Sequence, residues 1–222
     1  MAHDSHATRL SSRPMRRFAK HALDLLLVGA ILGLLFDRFR DSLTLPRSLS
    51  RAEWVEFVAA DSMSTREARW IVVEFVDYQC PVCAAVERPL EELEQSRGRE
   101  VARRIRHFPL SANPHSLPAA IAVEYSDDMP TRRRLHARLL GEQDQIGRRP
   151  WWYFASKAGV IDSVRFEQCL RDRNVRQRVE LQRTMGRRLG VRGTPTFAVN
   201  RRVMTGLAPT EIADRILGVR PR

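Results

Sequence analysis

Hydrophobic residues cluster most tightly at Ile71, Val72, Val73, Phe75 and Val76, a run of β-branched and aromatic side chains. Such a run predicts a buried strand. A polar break at Asp77–Gln79 follows, and the period then changes. Val82, Val86, Leu90 and Leu93 recur at helical spacing, while Glu87, Glu91, Glu92 and Glu94 fall mostly off that face, which predicts a helix opening at Cys80-Pro-Val-Cys83. Pro81 suits the first helical turn, where its missing N–H deprives no partner.

Further along, Val101–Leu110 alternates partially and ends near a proline, predicting a second central strand. Helical signals occupy Ala119–Glu124, Thr131–Leu140, Trp151–Ala158, Ser163–Arg173 and about Val175–Leu189. Trp151, Trp152, Tyr153 and Phe154 read as core of these helices or as a peptide-binding patch. Gly193–Pro195 turns, Thr196–Val199 extends, Asn200–Arg202 turns again, and Val203 and Met204 form a brief strand. A last amphipathic helix is expected from about Pro209 to Leu217.

Ahead of all this, residues 1–20 carry five basic residues against Asp4 alone, and Leu25–Phe36 is continuously apolar. A basic flank before an apolar run is a secretory signal pattern, and no small-x-small cleavage site follows. The expectation is an uncleaved signal-anchor at 21–36 with 1–20 in the cytoplasm and the remainder exported. A buried core helix in a cytosolic protein is the alternative, and Asp24 supports it. Residues 37–69 read as a tether containing one apolar cluster around Trp54.

The formal charge of +12 comes from 36 Arg and 2 Lys scattered through every segment. No basic stripe interleaved with aromatics accompanies it, which argues against a nucleic-acid partner. Three cysteines make no disulfide scaffold.

The chemistry lies at Cys80 and Cys83. A helix N-terminus presents unpaired N–H groups and about half a positive charge, which stabilises a thiolate there. Cys-X-X-Cys motifs lower a thiol pKa from ~8.5 to roughly 3.5–7.5. Cys80 is therefore the expected nucleophile, and Cys83, one turn on, the thiol that resolves a mixed disulfide. Half of a zinc site has the same spacing, but two more ligands are needed and Cys169 lies alone in a predicted helix. Cys169 reads as a small buried residue or a regulatory thiol. His107 and His115 read as ordinary loop histidines.

The order strand, Cys-X-X-Cys helix, strand, helical block, Gly-Thr-Pro turn, two strands and helix resembles the thioredoxin superfamily. Its DsbA-like branch has a helical insertion like the one expected here at about 114–189. The likeness covers Trp70 to about Leu217 and rests on Cys80-Pro-Val-Cys83, Glu74, Thr194-Pro195, Phe108-Pro-Leu110, Ala119-Ala120 and Phe166-Glu-Gln-Cys-Leu170. It implies an α/β thioredoxin fold over 70–222 and a cis proline at Pro195 facing the disulfide. It also implies that Glu74, a carboxyl group desolvated by Val72, Val73, Phe75 and Val76, assists proton movement from Cys83. Substrate would lie along Thr194, Pro195, Pro81 and Val82. Three features depart from the family pattern. Pro89 falls one residue later than the family's kinking proline, Asn200 is followed by Arg201 where a glycine is usual, and Pro-Val stands in place of Pro-His.

The resulting expectation is a membrane-anchored, extracytoplasmic thiol–disulfide oxidoreductase acting on exported proteins, with a membrane redox partner and without a bound cofactor or metal. Oxidation is modestly favoured over reduction. A non-catalytic tethered binding module and a cytosolic redox enzyme are the alternatives.

Overall fold

A strand covered on both faces of its sheet must be apolar on both, and that is why residues 71–76 are almost continuously apolar. In the computed structural model β1 (Trp70–Val76) lies inside a four-stranded sheet of order β2-β1-β3-β4. It pairs in parallel with β2 (Val101–His107) and antiparallel with β3 (Thr196–Val199), which pairs antiparallel with β4 (Arg202–Thr205). Residues 49–50, 68–125 and 128–205 are described, all within the second of the chain's two compact units, Pro46–Arg222. The segment 1–20, the expected signal-anchor at 21–36, most of the tether and the closing helix at 209–217 lie outside the described residues. Among the described residues no helix is long and apolar enough to cross a membrane.

Val72 packs with Val86, Leu90, Leu93, Val101, Phe197 and Val199 on one side of the sheet. Val73 and Phe75 face the other side, against Phe108, Leu189, Val191, Ala198, Val203 and Leu49. Among the described strands β2 is an outer strand and not a second central one, because β3 returns after the helical block to the free side of β1.

The cysteine helix α1 (Pro81–Arg97) runs unbroken through Pro89. Its buried face is Cys83, Val86, Glu87, Leu90 and Leu93. Two expectations change here. Val82 is 44 % exposed, while Glu87 is buried because Arg103 and His136 meet it there.

The helical block comprises α2 (Ser116–Val123), α3 (Met129–Gly141), α4 (Trp151–Lys157), α5 (Ser163–Arg171) and α6 (Arg173–Arg188). Side chains of Asp128, Asp162 and Asp172 accept backbone N–H groups at the starts of α3, α5 and α6. Phe154 and Phe166 are fully buried, and Trp151, Trp152 and Tyr153 pack around that cluster. The aromatic run is thus core at its centre. Helix α6 approaches the sheet through Gly186, where a Cβ would sit 2.8 Å from the rings of Phe75 and Phe108.

The β3–β4 turn needs no glycine. Asn200 and Arg201 both take positive φ, 41° and 80°. Asn200 accepts from Ile71 N at 2.9 Å and donates to Arg69 O at 2.9 Å, while Arg201 and Leu49 exchange two bonds at 2.7 and 2.8 Å.

Candidate active site

Asp77 turns the chain from β1 into α1. Its buried carboxylate accepts from Gln79 N at 2.7 Å, Leu110 N at 2.7 Å and the Ser116 hydroxyl. One side chain thereby fixes the turn to the loop after β2 and to the start of α2. Gln79 accepts from His115 N at 2.6 Å, and Gln143 donates to Cys80 O at 2.9 Å. The helical block therefore holds the cysteine turn from behind.

Cys80 is the N-cap of α1 and Pro81 its first residue. Cys80 keeps 8 % exposure and Cys83 none, so only the first sulfur is open to an incoming chain. Both are free thiols. The pKa of Cys80 is lowered to about 5. A hydrogen bond from Cys83 is the largest cause; burial opposes it, and the Thr194 hydroxyl and the N–H groups of Cys83 and Val82 add to it. The same bond, then burial, pushes the Cys83 thiol far above the ordinary range. One sulfur is therefore set as thiolate and the other as thiol.

The Thr194–Pro195 peptide is cis, and the Cys80 sulfur lies 3.2 Å from Thr194 O, to which it donates only when protonated. The Thr194 hydroxyl is buried with no other partner. Thus β3's leading loop and the N-terminus of α1 meet at Cys80, with exposed Pro81 and Val82 beside it. Of the seven residues predicted for the site, six converge here.

The seventh, Glu74, is fully buried, but its surroundings are not the apolar jacket that its strand neighbours suggest. Arg103 on the adjacent strand donates to Glu74 Oε2 at 2.6 and 3.2 Å and also reaches Glu87. Glu74 Oε1 is buried without a partner. Glu87 in turn meets His136 Nε2 at 2.9 Å. Its carboxyl is held well below the usual carboxylate range, because His136 and Arg103 outweigh the burial that would raise it.

The chain of polar groups continues. His136 Nδ1 lies 3.0 Å from the Tyr78 hydroxyl, Tyr78 lies 3.4 Å from His107 Nδ1, and His107 Nε2 lies 3.3 Å from Glu124. His107 is therefore a buried strand residue and not a loop histidine. Sequence reasoning missed Asp77, Tyr78, Glu87, Arg103, His136 and Glu124. Their partners lie far apart along the chain, and scattered arginines hide the one that matters.

Donor atoms of Glu74, Glu87 and His136 lie within 4.8 Å of one another, the geometry of a cation site. Arg103 Nη2 already stands among them, 3.3 Å from His136 Nε2. A metal ion would have to displace that guanidinium. Cys169 is half-buried, with its thiol pKa raised first by burial, as suits a packing residue more than a reactive one.

A family model described as thioredoxin matches residues 63–217. The chain belongs to the thioredoxin family. Its structural likeness extends to a thioredoxin-like oxidoreductase from Silicibacter pomeroyi, at TM-score 0.59 and 20% identity, covering 78% of this chain and 100% of that one. Wolbachia pipientis alpha-DsbA1 superposes at TM-score 0.59 with 16% identity over 68% of this chain and 87% of its own. A periplasmic thioredoxin-like protein from Salmonella enterica serovar Typhimurium gives 0.59 and 19%, covering 78% and 97%. In sequence, 140 residues are 33% identical to part of a Na(+)/H(+) antiporter NhaA 3 of Salinispora tropica. That stretch is 62% of this chain and 21% of the antiporter, so the chain spans about a fifth of the curated relatives it matches. The thioredoxin-like fold expected from the motif order, with a helical block between β2 and β3, is thus present.

Proposed function

We propose that this protein is an extracytoplasmic thiol–disulfide oxidoreductase acting on protein cysteines, with Cys80 as nucleophile and Cys83 as resolving thiol. One observation carries the reading: a nearly covered thiolate at a helix N-terminus, touching both a buried thiol and the carbonyl before a cis proline. Thiolate attack on a substrate disulfide forms the Cys80 mixed disulfide. Cys83 then expels the substrate thiol after losing its proton, for which Glu74 is the nearby buried carboxylate. In the oxidising direction a substrate thiolate attacks Cys80 of the Cys80–Cys83 disulfide, and Cys83 leaves and takes up a proton.

Backbone groups of Thr194, with Pro195, Pro81 and Val82 around them, offer an extended chain main-chain pairing with little side-chain selection. A stabilised Cys80 thiolate favours the reduced form and so favours donating the disulfide. A value of about 5 falls between DsbA (~3.5) and thioredoxin (~7). The basic flank and apolar run at 1–36 support a membrane-anchored protein facing away from the cytoplasm, with a membrane redox partner to recharge it. Refolding of a reduced, disulfide-requiring protein by the full chain tests the activity. Acceleration lost in Cys80→Ser is expected, and equal rates for the two proteins would refute the proposal. Protease accessibility in sealed cells tests the placement; a protected catalytic domain would overturn it.

A further inference from the structure

A groove of about 470 Å³ opens where the end of α6 meets the loop that follows β2. Gly186 lets α6 press onto Phe75 and Phe108, and Leu189 and Val191 pack into the same cluster. Phe108, Leu110 and Val191 thereby form an apolar wall, with Arg183, Arg187 and Arg192 around it. Among the described residues no carboxylate lines the groove.

Helix polarity accounts for part of this charge. A cation in the last turn of a helix is favoured by the negative end of the dipole, and Arg187 lies in that turn of α6. Arg183 lies before it and Arg192 beyond the helix, so neither has that reason to be basic. Arg183 is also incompletely paired. Its side chain keeps 19 % exposure, its Nη1 reaches Glu180 only at 3.6 Å, and among the described residues its Nε is buried with no hydrogen-bond partner. A guanidinium held against an apolar wall with donors to spare is suited to a carboxylate.

Position ties the groove to the cysteines. Leu110, in its wall, donates its N–H to Asp77, the carboxylate that fixes the turn into Cys80. Arg192 stands two residues before Thr194, whose carbonyl lies 3.2 Å from the Cys80 sulfur. Two residues span at most about 7 Å. An extended chain advances about 3.3 Å per residue, so one that pairs with Thr194 reaches the groove about two to four positions from its own reacting cysteine.

We propose that this groove is a specificity subsite that takes Asp or Glu side chains flanking the cysteine of a protein substrate. The proposal rests on the oxidoreductase reading of Cys80 and Cys83. Main-chain pairing at Thr194 carries little selection, and the groove supplies it. A substrate thiolate attacks Cys80 of the Cys80–Cys83 disulfide; the S–S bond breaks, and Cys83 leaves with the electron pair and takes up a proton. A second substrate thiolate attacks the substrate sulfur of the mixed disulfide and releases Cys80 as thiolate. The substrate dithiol thus loses two electrons and the protein disulfide gains them, while Arg183, Arg187 and Arg192 hold the flanking carboxylate.

Two synthetic peptides test this, each with two cysteines, flanked by Glu in one and by Gln in the other. The full chain in its disulfide form oxidises each reduced peptide. Each rate is divided by that peptide's rate with a small aromatic disulfide, which removes the effect of the flanks on the peptide thiols. The Glu peptide should react several-fold faster. That ratio should fall to near one in the double variant Arg187→Gln, Arg192→Gln, both exposed, and persist in Arg171→Gln, an exposed arginine of α5 outside the groove. Equal rates for the two peptides, or a ratio that the double variant leaves unchanged, would overturn the proposal. An equal fall in Arg171→Gln would assign the preference to net charge and overturn it too. If neither peptide reacts, the oxidoreductase reading fails and binding decides the groove. Anisotropy of a fluorescent Glu-flanked peptide with serines for cysteines should then show an affinity that the double variant loses; no binding, or binding that the double variant keeps, would overturn the subsite. Phosphatidylglycerol vesicles that bind through these arginines when the peptide does not would make the groove a lipid contact, which also overturns it.

Discussion

Replacing Cys83 with alanine removes the largest cause of the low Cys80 pKa while leaving the helix amides and Thr194 in place. A hydrogen bond to a charged group is worth roughly 1.5–3 kcal/mol. At about 1.4 kcal/mol per unit, its loss should raise the Cys80 midpoint from about 5 to about 6–7. Near pH 6 the thiolate fraction then falls from about nine-tenths to between about half and one-tenth. Ultraviolet thiolate absorbance of the reduced protein against pH measures this, with Cys80→Ala identifying which step belongs to Cys80. The raised value of Cys169 keeps its titration separate. A midpoint that stays near 5 in Cys83→Ala would refute the assignment of the effect to the Cys83 bond. One that rises to the ordinary ~8.5 would show that the helix N-terminus and Thr194 do no more than offset burial.

Linkage gives a second consequence. The folded Cys80 value of about 5 lies below the unfolded ~8.5, so ionisation of Cys80 stabilises the reduced protein increasingly as pH rises from about 5 to ~8.5; above that the raised Cys83 thiol, still protonated only in the folded state, works against it. The reduced protein should lose the Cys80 stabilisation as pH falls through about 5, as urea midpoints of the two forms will show. Arg103→Met leaves Glu74 and Glu87 buried without their shared cation and should cost about 3–5 kcal/mol by chemical denaturation, whereas a loss under about 1 kcal/mol would mean that the pair is not desolvated. In Gly186→Ala the new methyl meets Phe75 and Phe108 and should cost about 1–3 kcal/mol, measured the same way; an unchanged urea midpoint would show that α6 yields freely. Asp77→Ala removes three bonds that fix the cysteine turn. It should slow disulfide exchange as well as lower the urea midpoint, and full activity would show that the turn holds its shape without them.

The parts of the fold visible in the sequence are those encoded locally. The run at 71–76, the spacing of Val86, Leu90 and Leu93, and the Cys-X-X-Cys at a helix start each lie within one or two turns of chain, and the structure has them where the pattern points. What stayed hidden depends on distant partners. Glu87 looks like a solvent-facing charge until Arg103 and His136 are brought to it from other elements. His107 looks like a loop residue until the strand runs through it. Asn200-Arg201 looks like a poor turn until Asn200 is seen bonding Arg69 and Ile71, which holds the positive φ angles in place. Glu74 is buried as its neighbours suggest, yet its charge balance is set by an arginine 29 residues away that composition alone gave no reason to notice.

The central claim is that Cys80 and Cys83 form a working redox pair, and equilibration of the full chain against a graded series of reduced and oxidised glutathione tests it most directly. A thiolate set by helix amides and Thr194 without a neighbouring histidine should place the potential between roughly −120 and −270 mV, towards the oxidising end if the protein donates disulfides. A pair that does not titrate across the series would contradict the claim.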